Sequence, residues 1–202
     1  MMARPPKAVR DTMLNDTRQS LLGAAAAEFA SEGYIGANIN RISTAAGFAK
    51  GTIYNYFPSK KSLLMTLIDE TASCHIDMIR THVERAESPP EQLEAFFEGG
   101  FAFVVAHPAP ARVVINAVYG PDPEFTARVH QAYAPLYDLL SNGILGAGVA
   151  RGDFRPVELE PTAGLIMTVY LGSCALVDAD NKIGLSIAQI MPFVLDGLRP
   201  RE

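Results

Sequence analysis

Apolar residues recur with helical spacing along almost the whole chain, and strict alternation of the kind that strands show is scarce. From about Thr17 to Glu32 one apolar stripe follows the i, i+3, i+4, i+7 pattern and consists of Leu22, Ala25, Ala26 and Phe29. Gly33 follows as a natural helix end, because glycine readily takes the left-handed conformation. We therefore predict an all-α protein whose first helix covers this stripe.

Capping residues and turn signals divide the next part of the chain. Asn38 is a good N-cap for a short helix through residue 46, and a tight turn then leads into a third short helix at about 50–56. Ser59 caps a long fourth helix, whose apolar positions keep near-helical spacing to about residue 87. This layout predicts a small three-helix head joined to the rest of the chain by the fourth helix.

Further helical stretches follow the fourth helix between proline and glycine breaks, at roughly 91–106, 109–118, 123–150, 160–178 and 185–198. The predicted organisation has three parts. Residues 1–14 form a flexible arm, residues 15–62 form a helix-turn-helix head, and residues 63–202 form a larger helical body.

Residues 38–57 carry the most informative pattern. Apolar positions would close a compact core between the two short helices: Ile39, Ile42, Ala46, Phe48, Ile53 and Phe57. The second helix of this pair then faces outward, and an α-helix fits the DNA major groove. Its outward residues can bind phosphates or base edges: Lys50, Thr52, Tyr54, Asn55 and Tyr56. Gly51 would let the backbone approach the DNA closely.

Charge is distributed unevenly along the chain, although the net charge is -5. Residues 1–62 contain eight basic and four acidic residues, whereas the remainder contains nine basic and eighteen acidic residues. Such asymmetry indicates that the N-terminal end meets a polyanion, and it agrees with a DNA-binding head.

The stretch from about Thr17 to Leu64 resembles the DNA-binding domain of the tetracycline-repressor (TetR) family. The resemblance rests on Phe29-Ala30, Gly33-Tyr34, Ile42, Ala45-Ala46-Gly47, Lys50-Gly51-Thr52-Ile53-Tyr54, Tyr56-Phe57, Ser59-Lys60 and Leu63-Leu64. It implies DNA contacts by residues of the second helix, the recognition helix and the start of the fourth helix, namely Asn38, Asn40, Lys50, Gly51, Thr52, Tyr54, Asn55 and Lys60. Lys60 would hold a phosphate.

Two positions depart from the family pattern. Ala49 stands where the family usually has Ser or Thr, so a hydroxyl that would cap the third helix or contact a phosphate is missing. Arg41 stands where an acidic residue is common, which we expect to add positive charge near the DNA.

The resemblance also implies a homodimer, because the last two helices of the family usually pack against their copies in a partner. The glycine-rich segment 148–156 resembles the loop that enters these helices. Apolar faces that fit such an interface contain Leu165, Thr168, Gly172 and Leu176 on the first helix, and Ile187, Ile190 and Val194 on the second. The alternative is that these faces pack only inward.

The family usually places a small-molecule cavity inside the body. Candidate wall residues are Phe97, Phe101, Tyr119, Tyr137, Met167 and Tyr170, with Phe103 and Tyr133 as further candidates. Aromatic residues and methionines at helical spacing are more often ordinary core, and that alternative stays open.

Several other classes of protein find no support. We expect no signal peptide and no membrane span, and therefore a soluble cytoplasmic protein. The histidines at 75, 82, 107 and 130 lack a metal-ligand spacing, and Cys74 and Cys174 are far apart. We predict no metal, no cofactor and no catalytic residues.

The sequence thus predicts a transcriptional regulator that binds a palindromic operator in double-stranded DNA and is released by a small apolar or aromatic effector. The fourth helix would transmit the change. Two alternatives remain: a ligand-independent dimeric regulator, and a helical enzyme with a vestigial head.

Overall fold

The computed structural model describes residues 7–177 and 182–200 of the chain, and its regular elements are helices. The head contains α1 (Lys7–Gly36), α2 (Ile39–Ala45) and a single 3₁₀ turn at Thr52–Asn55, which we call the recognition turn. Helix α3 (Lys60–Val83) leads into the body. The body contains α4 (Pro89–Ala106), α5 (Pro108–Tyr119), α6 (Pro123–Asp138), a π-helical turn (Leu139–Leu145), α7 (Gly146–Arg151), α8 (Leu159–Ala175) and α9 (Ile187–Leu198). The predicted all-α architecture is confirmed.

Helix α1 begins earlier than predicted. It starts at Lys7, so the predicted flexible arm is helical over residues 7–14, and residues 1–6 lie outside the described part. Met13 and Leu14 are exposed on this extension. An apolar stripe detects only the part of a helix that packs against a core, so it could not reveal these exposed turns.

The capping predictions are confirmed. The Asn38 side chain accepts hydrogen bonds from the backbone amides of Asn40 (2.9 Å) and Arg41 (3.3 Å) at the start of α2. Ser59 caps α3 in a reciprocal box with Ser62. Gly33, with φ 67°, breaks α1 where predicted, although one further helical turn follows to Gly36.

The predicted third helix at 50–56 is shorter in the structure. Gly51 has φ 90°, in the left-handed region, and therefore cannot belong to a right-handed helix. Only the recognition turn follows it. The backbone conformation at position 51 therefore favours glycine, in addition to the close approach to DNA that we predict for this residue.

Two apolar clusters form the interior. The body cluster lies between α3, α4, α8 and α9. The head cluster contains Ile42, Ile53 and Phe57, but also residues from two helices of the body: Val113, Val114 and Ala117 of α5, and Phe125 and Val129 of α6. The head is therefore completed by α5 and α6.

Within the described part of the chain, no single helix is long and apolar enough to span a membrane. Helices α4 and α5, which are bent by 111° relative to each other, reach that length and apolar character only as a pair.

The close packing of α3 on α4 depends on Gly99. A Cβ atom at this position would lie 2.8 Å from the Cα of Ile79, which is backbone and cannot rotate away. We expect Gly99→Ala to destabilise the protein by about 1–3 kcal/mol, because the two helices must separate. Denaturant unfolding measures this change. The control is Gly23→Ala on α1, where no atom outside the adjacent helix backbone lies within 4 Å of the added Cβ. This variant is expected to be neutral or stabilising, and an equal loss in both variants would contradict the packing argument.

Candidate nucleic-acid interface and internal cavity

The candidate DNA-binding face is formed by α2 and the recognition turn. Asn40 and Lys50 are exposed, Asn55 is exposed, and Tyr54 keeps 54% of its surface accessible. Thr52 is half-buried beside them, whereas Ile53 points into the head core. The structure thus brings these predicted residues together on one surface of the head. Tyr56 is half-buried and packs against the head core, so it is mainly a structural residue.

Lys60 makes structural contacts that the sequence did not predict. Its ammonium group donates hydrogen bonds to the backbone carbonyls of Ile35 (3.1 Å) and Ala37 (3.0 Å), and it lies 5.0 Å from the ring centre of Tyr34. These contacts fix the connection between α1 and α2. Lys60 therefore positions α2 from behind, and its contact with a phosphate remains a prediction.

Arg41 does not add an uncompensated charge to the DNA-binding face, contrary to expectation. Its guanidinium group lies 3.3 Å from a carboxylate oxygen of Glu28 and 3.7 Å from one of Glu32, both on α1. Glu28, which is buried, also accepts a hydrogen bond from the backbone amide of Asn38 (3.0 Å). The Arg41 charge is thus used to hold α2 on α1.

The body contains a cavity of about 550 Å³, between α3, α5, α6 and α8. This volume lies in the usual range for sites that hold drug-sized molecules. The walls are mostly apolar, with contributions from Val104, Val114, Ile115, Val129, Leu136, Met167 and Leu171. Exposed polar residues form the outer rim: His130, Asp138, Asn142 and Glu160.

A buried polar cluster lies in the cavity wall. His75 of α3 is hydrogen-bonded through Nδ1 to the Tyr133 hydroxyl (3.1 Å) and through Nε2 to the Tyr170 hydroxyl (2.7 Å). Its ring also stacks on Phe103. Burial lowers the pKa of His75 to about 3, and the charge of nearby His107 acts in the same direction. The imidazole is therefore neutral at pH 7. Burial also raises the pKa of Cys174, in the same wall, to about 12.

The structure separates the predicted cavity residues into two groups. Tyr137, Met167 and Tyr170 line the cavity as predicted, and so does Tyr133. The other predicted residues do not line this cavity. Phe97 and Phe101 are buried and pack behind Tyr170 at ring-centre distances of 5.5 and 6.1 Å, and Phe103 packs behind His75. Tyr119 is exposed at the end of α5, facing the head.

His75 was missed because we judged the histidines only as metal ligands. A signal was present: His75 lies on the buried side of α3, in step with Ile68, Ala72 and Ile79. A titratable residue on an apolar helix face indicates either a hydrogen-bonded core residue or a binding site. Among residues 7–177 and 182–200, no cluster of three or more His, Cys, Asp or Glu side chains could hold a metal ion.

The residues predicted for the dimer interface also fall into two groups, one on an exposed face of α8 and one at least half-buried on α9. Leu165 and Leu176 of α8 are exposed (71% and 57%), Thr168 is exposed, and Gly172 lies between them on the same face. In α9, however, Ile190 and Val194 are buried in the core of the single chain and Ile187 packs against it. Ile190 and Val194 are thus part of the chain's own core and Ile187 is half-buried, and their part in a dimer interface remains a prediction. The exposed apolar residue of α9 is Phe193 (75%), which sequence reasoning missed.

Sequence comparison identifies the head. The family described as "Bacterial regulatory proteins, tetR family" matches residues 21–66, the segment from α1 into α3. The A-factor receptor protein of Streptomyces griseus is 29% identical over 195 residues, which cover 89% of this chain and 59% of that protein. The match thus spans less than two thirds of that relative's length.

Solved structures extend the comparison to the body. The fatty acid degradation regulator FadR from Bacillus halodurans superposes with a TM-score of 0.82 at 22% identity, covering 99% of this chain and 100% of that one. AibR, solved with isovaleryl coenzyme A and operator DNA, superposes with a TM-score of 0.72 at 20% identity, covering 92% and 100%. Fold and head together define a DNA-binding transcriptional regulator. Its head, over residues 21–66, is that of the tetR family of bacterial regulatory proteins.

The buried neutral histidine predicts a loss of stability in mild acid. In the unfolded chain His75 has its ordinary pKa of 6.5, whereas its folded pKa is about 3. Between these values only the unfolded state takes up the proton, so stability is full above pH 6.5 and falls as the pH falls. The expected contribution is about 2 kcal/mol of lost stability from pH 7 to pH 5.

Denaturant unfolding of the wild-type protein and of His75→Gln at pH 7, 6 and 5 measures this contribution. Glutamine does not titrate, so the pH dependence should become shallower in that variant. The matched control is His130→Gln, an exposed histidine on the rim of the same cavity. If His75→Gln keeps the full wild-type pH dependence, His75 is not the group that titrates.

Proposed function

We propose that this protein is a homodimeric repressor that binds a palindromic operator in the cytoplasm and leaves it when a small, mainly apolar molecule occupies the body cavity. The observation that carries this proposal is the cavity itself, a largely apolar space of about 550 Å³ walled by helices that also build the head core. A regulator whose body served only dimerisation would need no such space. The ligand-bound relative AibR supports a small-molecule effector.

Helix α5 directly connects the cavity with the head. Its residues Val114, Ile115 and Val118 line the cavity, whereas Val113, Val114 and Ala117 pack in the head cluster. Helix α3, which we expected to transmit the change, contributes His75 to the cavity and Leu63, Leu64 and Leu67 to the head. An effector can weaken DNA binding only if it favours one position of these helices over another.

The positive charge of Lys50, on the candidate DNA-binding face, supports an electrostatic contribution of this residue to DNA binding. This residue is exposed and has no ion pair among the described residues, unlike Arg41. Tyr54 and Asn55 offer polar groups next to it. Lys50 thus adds an exposed cation, without an ion pair in the described part of the chain, to several hydrogen-bonding groups in a short segment that fits a groove.

Selection of random duplex DNA by the purified protein tests the DNA-binding part of the proposal. We expect an inverted repeat to be enriched, and binding to weaken as salt rises. Lys50→Ala should reduce the slope of log affinity against log salt by about 1, and Tyr54→Ala should weaken binding by about tenfold or more. Arg80→Ala, an exposed cation on the far end of α3, is the control. No enrichment by a folded protein would overturn the proposal.

The exposed apolar face of α8 and α9 supports the homodimer. Leu165 and Leu176 of α8 and Phe193 of α9 are each large apolar residues left in contact with water. Burying a leucine or phenylalanine side chain contributes about 1.5–3 kcal/mol. A second copy of the same face, related by two-fold symmetry, covers it and would place two heads on one palindrome.

A charge placed on this face should separate the protomers. We expect Phe193→Glu or Leu165→Glu to shift the protein from dimer to monomer at micromolar concentration, because a carboxylate cannot be buried there without a partner. Sedimentation velocity measures the shift. Val105→Glu is the control, since Val105 is similarly exposed (53%) but lies on α4. A dimer that survives both substitutions on the α8–α9 face would place the interface elsewhere.

A further inference from the structure

We infer that the molecule bound in the cavity is uncharged and carries an oxygen that accepts a hydrogen bond from the cluster of His75, Tyr133 and Tyr170. This inference rests on the proposed effector site and specifies the chemistry of its occupant. The molecule would be a ketone, lactone, ester or alcohol on an apolar skeleton. Neither a fatty acid anion nor a plain hydrocarbon meets the requirement.

A count of hydrogen-bond donors in the cluster supports the accepting oxygen. Neutral His75 has one N–H donor and one nitrogen acceptor, and each tyrosine hydroxyl has one donor hydrogen. The two contacts at 3.1 and 2.7 Å use two of these three hydrogens. In either tautomer of His75, one tyrosine O–H remains without a partner in the cluster.

The remaining hydrogen belongs to a residue of the cavity wall, because both tyrosines line the cavity. The other partner of the Tyr170 hydroxyl is the side chain of Cys174, whose sulfur is only a weak acceptor. A buried hydroxyl that lacks a good partner favours any ligand that supplies one, and a bare alkyl chain does not.

The charges of the lining disfavour an anion. No Lys or Arg is among the residues that line this cavity in the described part of the chain, and its rim contributes two carboxylates, Asp138 and Glu160. His75 is neutral and would have to gain a proton at a buried position to pair with an anion. A negative group brought into this cavity would lose its hydration without gaining a cation.

A cation lies in an adjoining depression, and it gives rise to a competing hypothesis in which the ligand is an anion. This depression shares Val104, Ala111, Ile115 and Cys174 with the cavity, and Arg112 is on its wall. Arg112 is exposed, so its charge is already hydrated and attracts an anion only weakly. An elongated anion could place its charged end there, with its chain in the cavity.

Calorimetric titration of the full-length protein with three probes of equal chain length distinguishes these chemistries: a methyl ketone, the corresponding carboxylate and the corresponding primary amine. We expect the ketone to bind at least tenfold more tightly than either charged probe. Preferred binding of the amine would assign the site to the rim carboxylates. Preferred binding of the carboxylate, if it is lost in Arg112→Gln, would show that the ligand is an anion held by Arg112. Either of these two results, or no binding by any probe, overturns the inference.

Single hydroxyl deletions test the cluster itself. Tyr133→Phe or Tyr170→Phe, whichever carries the unpaired hydrogen, should weaken ketone binding by about tenfold. Tyr137→Phe is the matched control: it lines the same cavity, but its hydroxyl donates to the backbone carbonyl of Glu160 at 2.5 Å. Circular dichroism confirms that each variant is folded. Equal ketone affinity in all three variants would overturn the role of the cluster.

Operator release separates this inference from the proposed function. If a charged probe binds the cavity and releases the operator, the proposed function stands and the inference is wrong. If the ketone binds through the cluster but DNA binding does not change, the ligand chemistry is right and the proposed regulation is wrong.

Discussion

The small size of the head is the constraint on which the rest of the structure depends. Helix α2 has seven residues and the recognition turn has four, too few to bury a core between them. The head cluster is therefore completed by α5, through Val113, Val114 and Ala117. Because part of the head's core belongs to the body, the position of the DNA-binding face depends on where α5 lies.

The same helix forms part of the cavity wall, so the two functional regions share a structural element. Val114 belongs both to the head cluster and to the cavity lining. On the other side, the ion pairs Lys61–Glu124 and Arg128–Asp69 tie α3, which continues from the head, to α6 of the body. A ligand in the cavity thus contacts helices whose opposite faces support the head, and no flexible linker separates the two regions.

Local signals in the sequence were enough to predict most of the fold. Caps at Asn38 and Ser59, and the break at Gly33, depend on neighbouring residues only, so they could be read in advance. The cavity lining could not. Phe97 and Tyr137 have similar character and helical spacing, yet one is core and the other lines the cavity, because the rotation of each helix is set by its tertiary neighbours. Close contacts such as that between Gly100 and Tyr170 set the rotation of each helix about its own axis.

The cluster of His75, Tyr133 and Tyr170 bears both on the ligand specificity of the proposed site and on the packing of the body helices. Its two hydrogen bonds link α3 to α6 and α3 to α8, so the polar groups of the cavity wall also set the spacing of these helices. Apolar contacts alone would accept many molecules of suitable size, because they are non-directional. Three polar groups on three different helices are directional. A ligand that engages one of them therefore acts on the relative positions of the helices, including α3, which continues into the head.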